Sequence, residues 1–261
     1  MKTSLFHFAS PATFEPLARR VARPAAWLSA LLAAAGLVVG LAIAPADAVQ
    51  GEAYRIIFVH VPAAWMSMLI YVVMAGYALA YLVLNVRLAG LMVRALAPTG
   101  AMFTFVALAT GSLWGRPTWG TYWVWDARLT SELILMFMYI GLMLLHGAIP
   151  DPRRADRAGA LLALVGVVNV PVIYFSVQWW NTLHQGASIS LTRAPTMAHT
   201  MLAGLLLMTA SAWLYAIAVA LTRARRLLAE RSREAAVPAM ATVRWAGSSA
   251  ATSAPFKGAI R

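Results

Sequence analysis

Six stretches of the chain, residues 25–44, 62–84, 97–113, 129–149, 159–177 and 196–221, are each apolar over the length that a helix needs to cross a bilayer. Twenty helical residues rise about 30 Å, the thickness of the hydrocarbon. Lipid offers backbone N–H and C=O groups no partners, so runs of this kind satisfy them internally as helices. The chain therefore reads as an all-α integral membrane protein with six transmembrane helices. With 61% hydrophobic and 11% charged residues, it is no ordinary soluble domain. Ala46-Asp47-Ala48 looks like a signal-peptide cleavage site, but the apolar run before it exceeds a signal's about 7–15 residues. An uncleaved first span is expected.

Residues 1–24 form a polar N-terminal segment and 222–261 a basic tail with no apolar run long enough for a seventh span. Six spans put both termini on one side of the membrane. That side collects 17 of the 21 lysines and arginines, leaving Arg55, Arg116, Arg128 and Arg193 on the other. By the positive-inside rule the termini are cytoplasmic. The net charge of +12 is thus a matter of topology and membrane lipid, and no nucleic-acid partner is expected. Pro62 suits the first turn of the second span, placing His60 at a helix mouth. The third span, rich in Gly, Ala, Ser and Thr, is expected at the centre of the bundle. Asn169 and Pro171 predict a kink in the fifth, and 151–157 a tight polar turn.

Between the third and fourth spans lies Trp114-Gly-Arg-Pro-Thr-Trp119-Gly-Thr-Tyr122-Trp123-Val-Trp125-Asp126-Ala-Arg128. Four of the ten tryptophans fall in this loop, residues 114–128, more than interfacial anchoring requires. Gly115, Pro117 and Gly120 break regular structure, so the rings are expected on a loop or short interfacial helix, as a platform for a ligand. The chain has no cysteine, which excludes disulfides, iron–sulfur ligation, thiolate zinc sites and thioether attachment of a cofactor. His60, the Trp-rich stretch, Trp179-Trp180 and His184 all face the outer side from three connections, and can converge. Two imidazoles, flat indoles and outer arginines suit a planar anionic ligand with a central metal. Haem meets each condition, through axial imidazoles and guanidinium–propionate pairs. A quinone would explain the aromatics but needs only one histidine.

The stretch Trp119-Gly-Thr-Tyr-Trp123-Val-Trp125-Asp126-Ala-Arg128 resembles the tryptophan-rich signature of haem-handling membrane proteins. Together with Tyr54-Arg-Ile-Ile-Phe-Val-His60-Val-Pro-Ala-Ala-Trp65, Gly111-Ser-Leu-Trp114-Gly, Arg128-Leu-Thr-Ser-Glu132-Leu and Trp179-Trp-Asn-Thr-Leu-His184-Gln-Gly, it resembles the haem exporter protein C family of bacterial c-type cytochrome maturation. The resemblance implies haem b held non-covalently at the periplasmic face of the inner membrane, with His60 and His184 as axial ligands. Trp114, Trp119, Trp123 and Trp125 match the aromatic platform, and Asp126 and Arg128 its charged end. The implied partners are a membrane-tethered periplasmic haem chaperone, ABC transporter subunits and a small adaptor. The implied role is delivery, not catalysis; a haem lyase of the same superfamily and a quinone-binding or structural subunit of a respiratory complex are the alternatives. From the residues alone, Asp126 is also a ready N-cap for the fourth span, and Glu132 in its first turn complements the helix dipole. His7 and His146 lie on the inner side, while His199, at the outer start of the sixth span, is the rival ligand.

Overall fold

The computed structural model describes residues 10–184, 189 and 194–251, with side chains as far as 234. His7, Arg193 and the end of the tail from 252 lie outside the described residues. Helix α1 (Pro11–Val38) ends in a π-helical turn, Val39–Ile43, and a 3-10 turn, Glu52–Ile56, leads into α2 (Ile57–Leu84). Then come α3 (Arg87–Trp119), α4 (Ala127–Ala148), α5 (Pro152–Gly166), α6 (Asn169–Trp179) and α7 (His199–Ala251), with no strand among the described residues. Taken together, α5 and α6 form one interrupted span, so the protein has the six apolar helices expected of it.

Several expected boundaries need correction, and for one reason: hydrophobic length marks only the lipid-embedded part of a helix. The first helix starts at Pro11, inside the segment expected to be merely polar, and the last runs to Ala251, well into the expected tail. Residues 152–157, expected as a turn, are the first turns of α5 behind an Asp151 cap that accepts from Arg153 and Arg154 N–H. Pro62 lies inside α2 rather than at its start, because the 3-10 turn and the residues from Ile57 already coil before it. The fifth span does break beside Pro171, at Val167 and Val168. Pro171 has no N–H for the carbonyl of Val167, and its ring crowds that carbonyl.

Helix α3 is the most deeply buried span, against α2, α4, α5 and α7, as its small residues predict. The outer helix α1 lies along α7, fastened by reciprocal hydrogen bonds in which Ser29 and Ser211 hydroxyls donate to each other's carbonyls at 2.9 and 2.8 Å. Asn85, in the left-handed region at φ 55°, turns α2 directly into α3. The loops 85–86 and 149–151 therefore mark one end of the bundle. The loops 44–51 and 120–126, with residues 180–184, mark the other, and the candidate residues collect there.

Candidate functional site

His60 sits in the first turn of α2, opposite the C-terminal third of α3. Its Nδ1 lies 3.0 Å from the Thr110 hydroxyl, which donates its own proton to the Val106 carbonyl at 2.5 Å. The hydroxyl oxygen must then accept from His60, which places the imidazole proton on Nδ1 and leaves Nε2 with a free lone pair. Gly111 makes room for the ring: a methyl group there would come within 3.0 Å of His60 Cε1. Trp114, one helical turn beyond Thr110, meets His60 edge to face at a centroid distance of 5.5 Å and Tyr54 at 5.7 Å. Its indole N–H donates to Gln50 Oε1 at 2.7 Å, fixing the ring.

On the other wall, His184 lies 4.9 Å from the Trp119 ring, centroid to centroid. Burial first, then the positive charge of Arg128 and the cost of protonating His184 beside a second imidazole, His60, push its pKa down to about 3. It is therefore neutral at ordinary pH, as a metal ligand must be. His60, His184, Trp114, Trp119 and Arg128 all line one cavity of about 290 Å³. Arg128 is held there by α6, whose Ile173 carbonyl accepts from the guanidinium at 3.2 Å.

The remaining expected residues are placed differently. Trp123 and Trp125 pack edge to face on each other at 5.4 Å outside the cavity lining, and Trp125 is 77% exposed. Asp126 caps α4 by accepting from Leu129 N–H at 2.8 Å, also off the lining. The stretch expected as one loop is divided: Trp114 to Trp119 are helical, and the chain leaves α3 only at Gly120, whose φ of 79° only glycine adopts freely. Glu132 is not a dipole-facing acid at a helix entrance but a buried carboxyl that accepts from Ser67 of α2 at 2.7 Å. His199 is exposed and lines none of this cavity. His146, at the far end, faces Asp156 instead, 3.6 Å away. Of the other arginines on this end, Arg55 donates to the carbonyls of Gly40 and Ala44, closing off the first span, and Arg116 is exposed and bonded to the Gly120 carbonyl.

Thr110, Gly111 and Gln50 carry no role in the sequence reading, yet they set the pose of His60 and Trp114. A spacing signal was present, since Thr110 and Trp114 are four residues apart and share a helix face. Five buried side-chain polar atoms lack a partner among the described residues, and three of them belong to His184, Trp123 and Asp126. Orphans gathered at one end of the bundle point to a ligand there. Among the described residues no three His, Asp or Glu side chains come together, so two imidazoles suit an iron that brings its own equatorial ligands better than a bare ion.

The family model described as Heme exporter protein C matches residues 4–238. Heme exporter protein C of Escherichia coli K12 is 55% identical over 165 residues, covering 62% of this chain and 67% of its own. That of Bradyrhizobium diazoefficiens is 51% identical over 205 residues, 78% of each chain. A Marchantia polymorpha mitochondrial protein named for cytochrome c biosynthesis is 48% identical over 159 residues, 61% of this chain and 67% of its own.

Proposed function

Because the chain belongs to the Heme exporter protein C family, we propose that it holds haem b non-covalently between His60 and His184 and hands it on for c-type cytochrome biogenesis. It is a multi-pass membrane protein of haem transport, not an enzyme. The observation that carries the reading is that two histidines from distant parts of the chain line one cavity, each against an indole. His60 offers Nε2 and His184 a neutral imidazole to the iron of the cargo. Trp114 and Trp119 cover the macrocycle, and Arg128 pairs with a propionate. Trp123, Trp125 and Asp126, just outside the cavity, form the rim across which haem leaves. Exposed Trp125, Trp179 and Trp180 suit the approach of a partner.

The distribution of lysine and arginine supports an inner-membrane protein with both termini cytoplasmic and the cavity periplasmic. A membrane-tethered haem chaperone would receive the haem on that face, while ABC transporter subunits and a small adaptor complete the assembly. Protein purified from cells supplied with haem should carry a Soret band and sharp visible bands, and periplasmic reporters fused after Ala48 or Gly120 should be active. Failure to take up haem, with a quinone extracted instead, would sink the haem reading; a cytoplasmic Gly120 fusion would sink the orientation.

The pose of His60 gives a local test. Gly111→Ala should push the His60 ring by a few tenths of an ångström, strain its bond to Thr110 and weaken haem retention, by up to the about 10–100-fold seen when a partner behind a metal ligand is lost. Haem titration of the refilled protein measures it, and unchanged affinity would mean that the ring does not need this space.

A further inference from the structure

At the end of the bundle away from His60 and His184, Arg94 of α3 and Arg223 and Arg226 of α7 line a second cavity, of about 390 Å³. Nearby cations on α7 are already committed: Arg225 pairs with Glu15 and Arg231 with Asp156, at 2.6 and 2.7 Å. The three in the cavity are not. Among the described residues Arg94 and Arg226 have no side-chain hydrogen bond or ion pair, and Arg223 only donates to the Thr99 hydroxyl at 2.5 Å. Glu230 is the single acid of the lining, so the cavity keeps an excess of positive charge. Much of the remaining wall is apolar, with Pro98, Met143 and Leu227.

Three guanidinium groups held together against their mutual repulsion favour an anion, and their planar forks match phosphate oxygens. The apolar wall beside them favours an anion that carries hydrocarbon, and Arg94 and Arg223 stand just beyond the ends of the apolar runs 97–113 and 196–221, the depth expected of lipid headgroups. We propose that this cleft binds the phosphate of an anionic phospholipid, with an acyl chain against Pro98, Met143 and Leu227. The site bridges α3 and α7, which pack against each other, so an occupying lipid ties the central helix to the last one. It is independent of haem binding at the other end.

The test uses the full chain in nanodiscs of phosphatidylcholine with or without phosphatidylglycerol, following thermal unfolding and, by native mass spectrometry, retained lipid. Phosphatidylglycerol should raise the unfolding temperature of the unaltered protein and remain bound on release from the disc. Arg94→Gln combined with Arg226→Gln should lose most of both effects. Arg226→Gln alone, at an exposed position that cannot impair folding much, should lose part of them. Arg19→Gln with Arg20→Gln, basic and on the same end but outside the cavity, should lose neither. Equal loss in that control would reduce the effect to general surface charge and overturn the site. Inorganic phosphate reproducing the full shift in phosphatidylcholine discs would overturn the lipid assignment in favour of a free anion. Protection by a polyglutamate peptide but not by phosphatidylglycerol would overturn it in favour of a protein partner.

Discussion

His184→Ala and His60→Ala should each turn bound haem from a six-coordinate, low-spin form into a weakly held five-coordinate one. Each imidazole is neutral or proton-directed in the way that ligation requires, His60 through Thr110 and His184 through burial. Removing a ligand should cost more than the about 10–100-fold in affinity expected when only a supporting group such as Thr110 is removed. Glycine at either position leaves a space shaped for imidazole, so free imidazole in millimolar amounts should restore much of the low-spin spectrum. A histidine that merely packs at a helix mouth would not respond in this way. His199→Ala is the internal control, since that side chain is exposed and lines none of the cavity. Loss of the low-spin spectrum on replacing His199, with His184→Ala unaffected, would reassign the ligand.

The controls depend on how far a one-dimensional pattern can locate a site. Spans are legible because lipid enforces an apolar length, and the convergence of His60 with His184 follows once loops are assigned alternately to two faces. Helix ends are not legible from the same pattern. Pro117 and Gly115 read as breakers, yet both lie inside α3, and only Gly120 ends it. A proline costs one backbone bond, which the packed neighbours of a membrane helix can tolerate, whereas the positive φ at Gly120 actually redirects the chain. That difference moves Trp114 and Trp119 onto a rigid helix lining the cavity and leaves Trp123 and Trp125 beyond it. Glu132 differs from its expected place for a related reason: one helical turn separates an acid at the helix entrance from one buried against Ser67, and composition cannot resolve a turn. The roles of Thr110 and Gly111 depend on α2 crossing α3 at one height, which no local pattern encodes.

That crossing is held lower in the bundle by two glycine–tyrosine pairs, and Gly100→Ala should break the first of them. A methyl group at Gly100 of α3 would overlap the phenol ring of Tyr139 from α4, and one at Gly166 of α5 would overlap Tyr71 from α2. The two tyrosines are fully buried and meet edge to face at 5.0 Å, so neither ring can turn without disturbing the other. Tyr139 also donates its hydroxyl to the Ser67 carbonyl at 2.7 Å, on the residue whose side chain donates to Glu132. Overpacking costs about 1–3 kcal/mol, and a buried Tyr139 hydroxyl pushed off its acceptor about as much again. The better helix propensity of alanine returns at most about 1 kcal/mol. The net loss should be about 1–5 kcal/mol, seen as a drop in unfolding temperature. Gly76→Ala, where an added methyl meets nothing within 4 Å, should be neutral or slightly stabilising. Tyr139→Leu added to Gly100→Ala should recover part of the loss, because it removes the clashing ring. Since α2 carries His60 and α3 carries Thr110 and Trp114, the Gly100→Ala protein should also bind haem more weakly while keeping the low-spin spectrum of whatever remains bound. Unchanged haem affinity despite the lost stability would mean that α2 and α3 are not held in register by this contact, and that the pose of His60 is fixed locally by Thr110 alone.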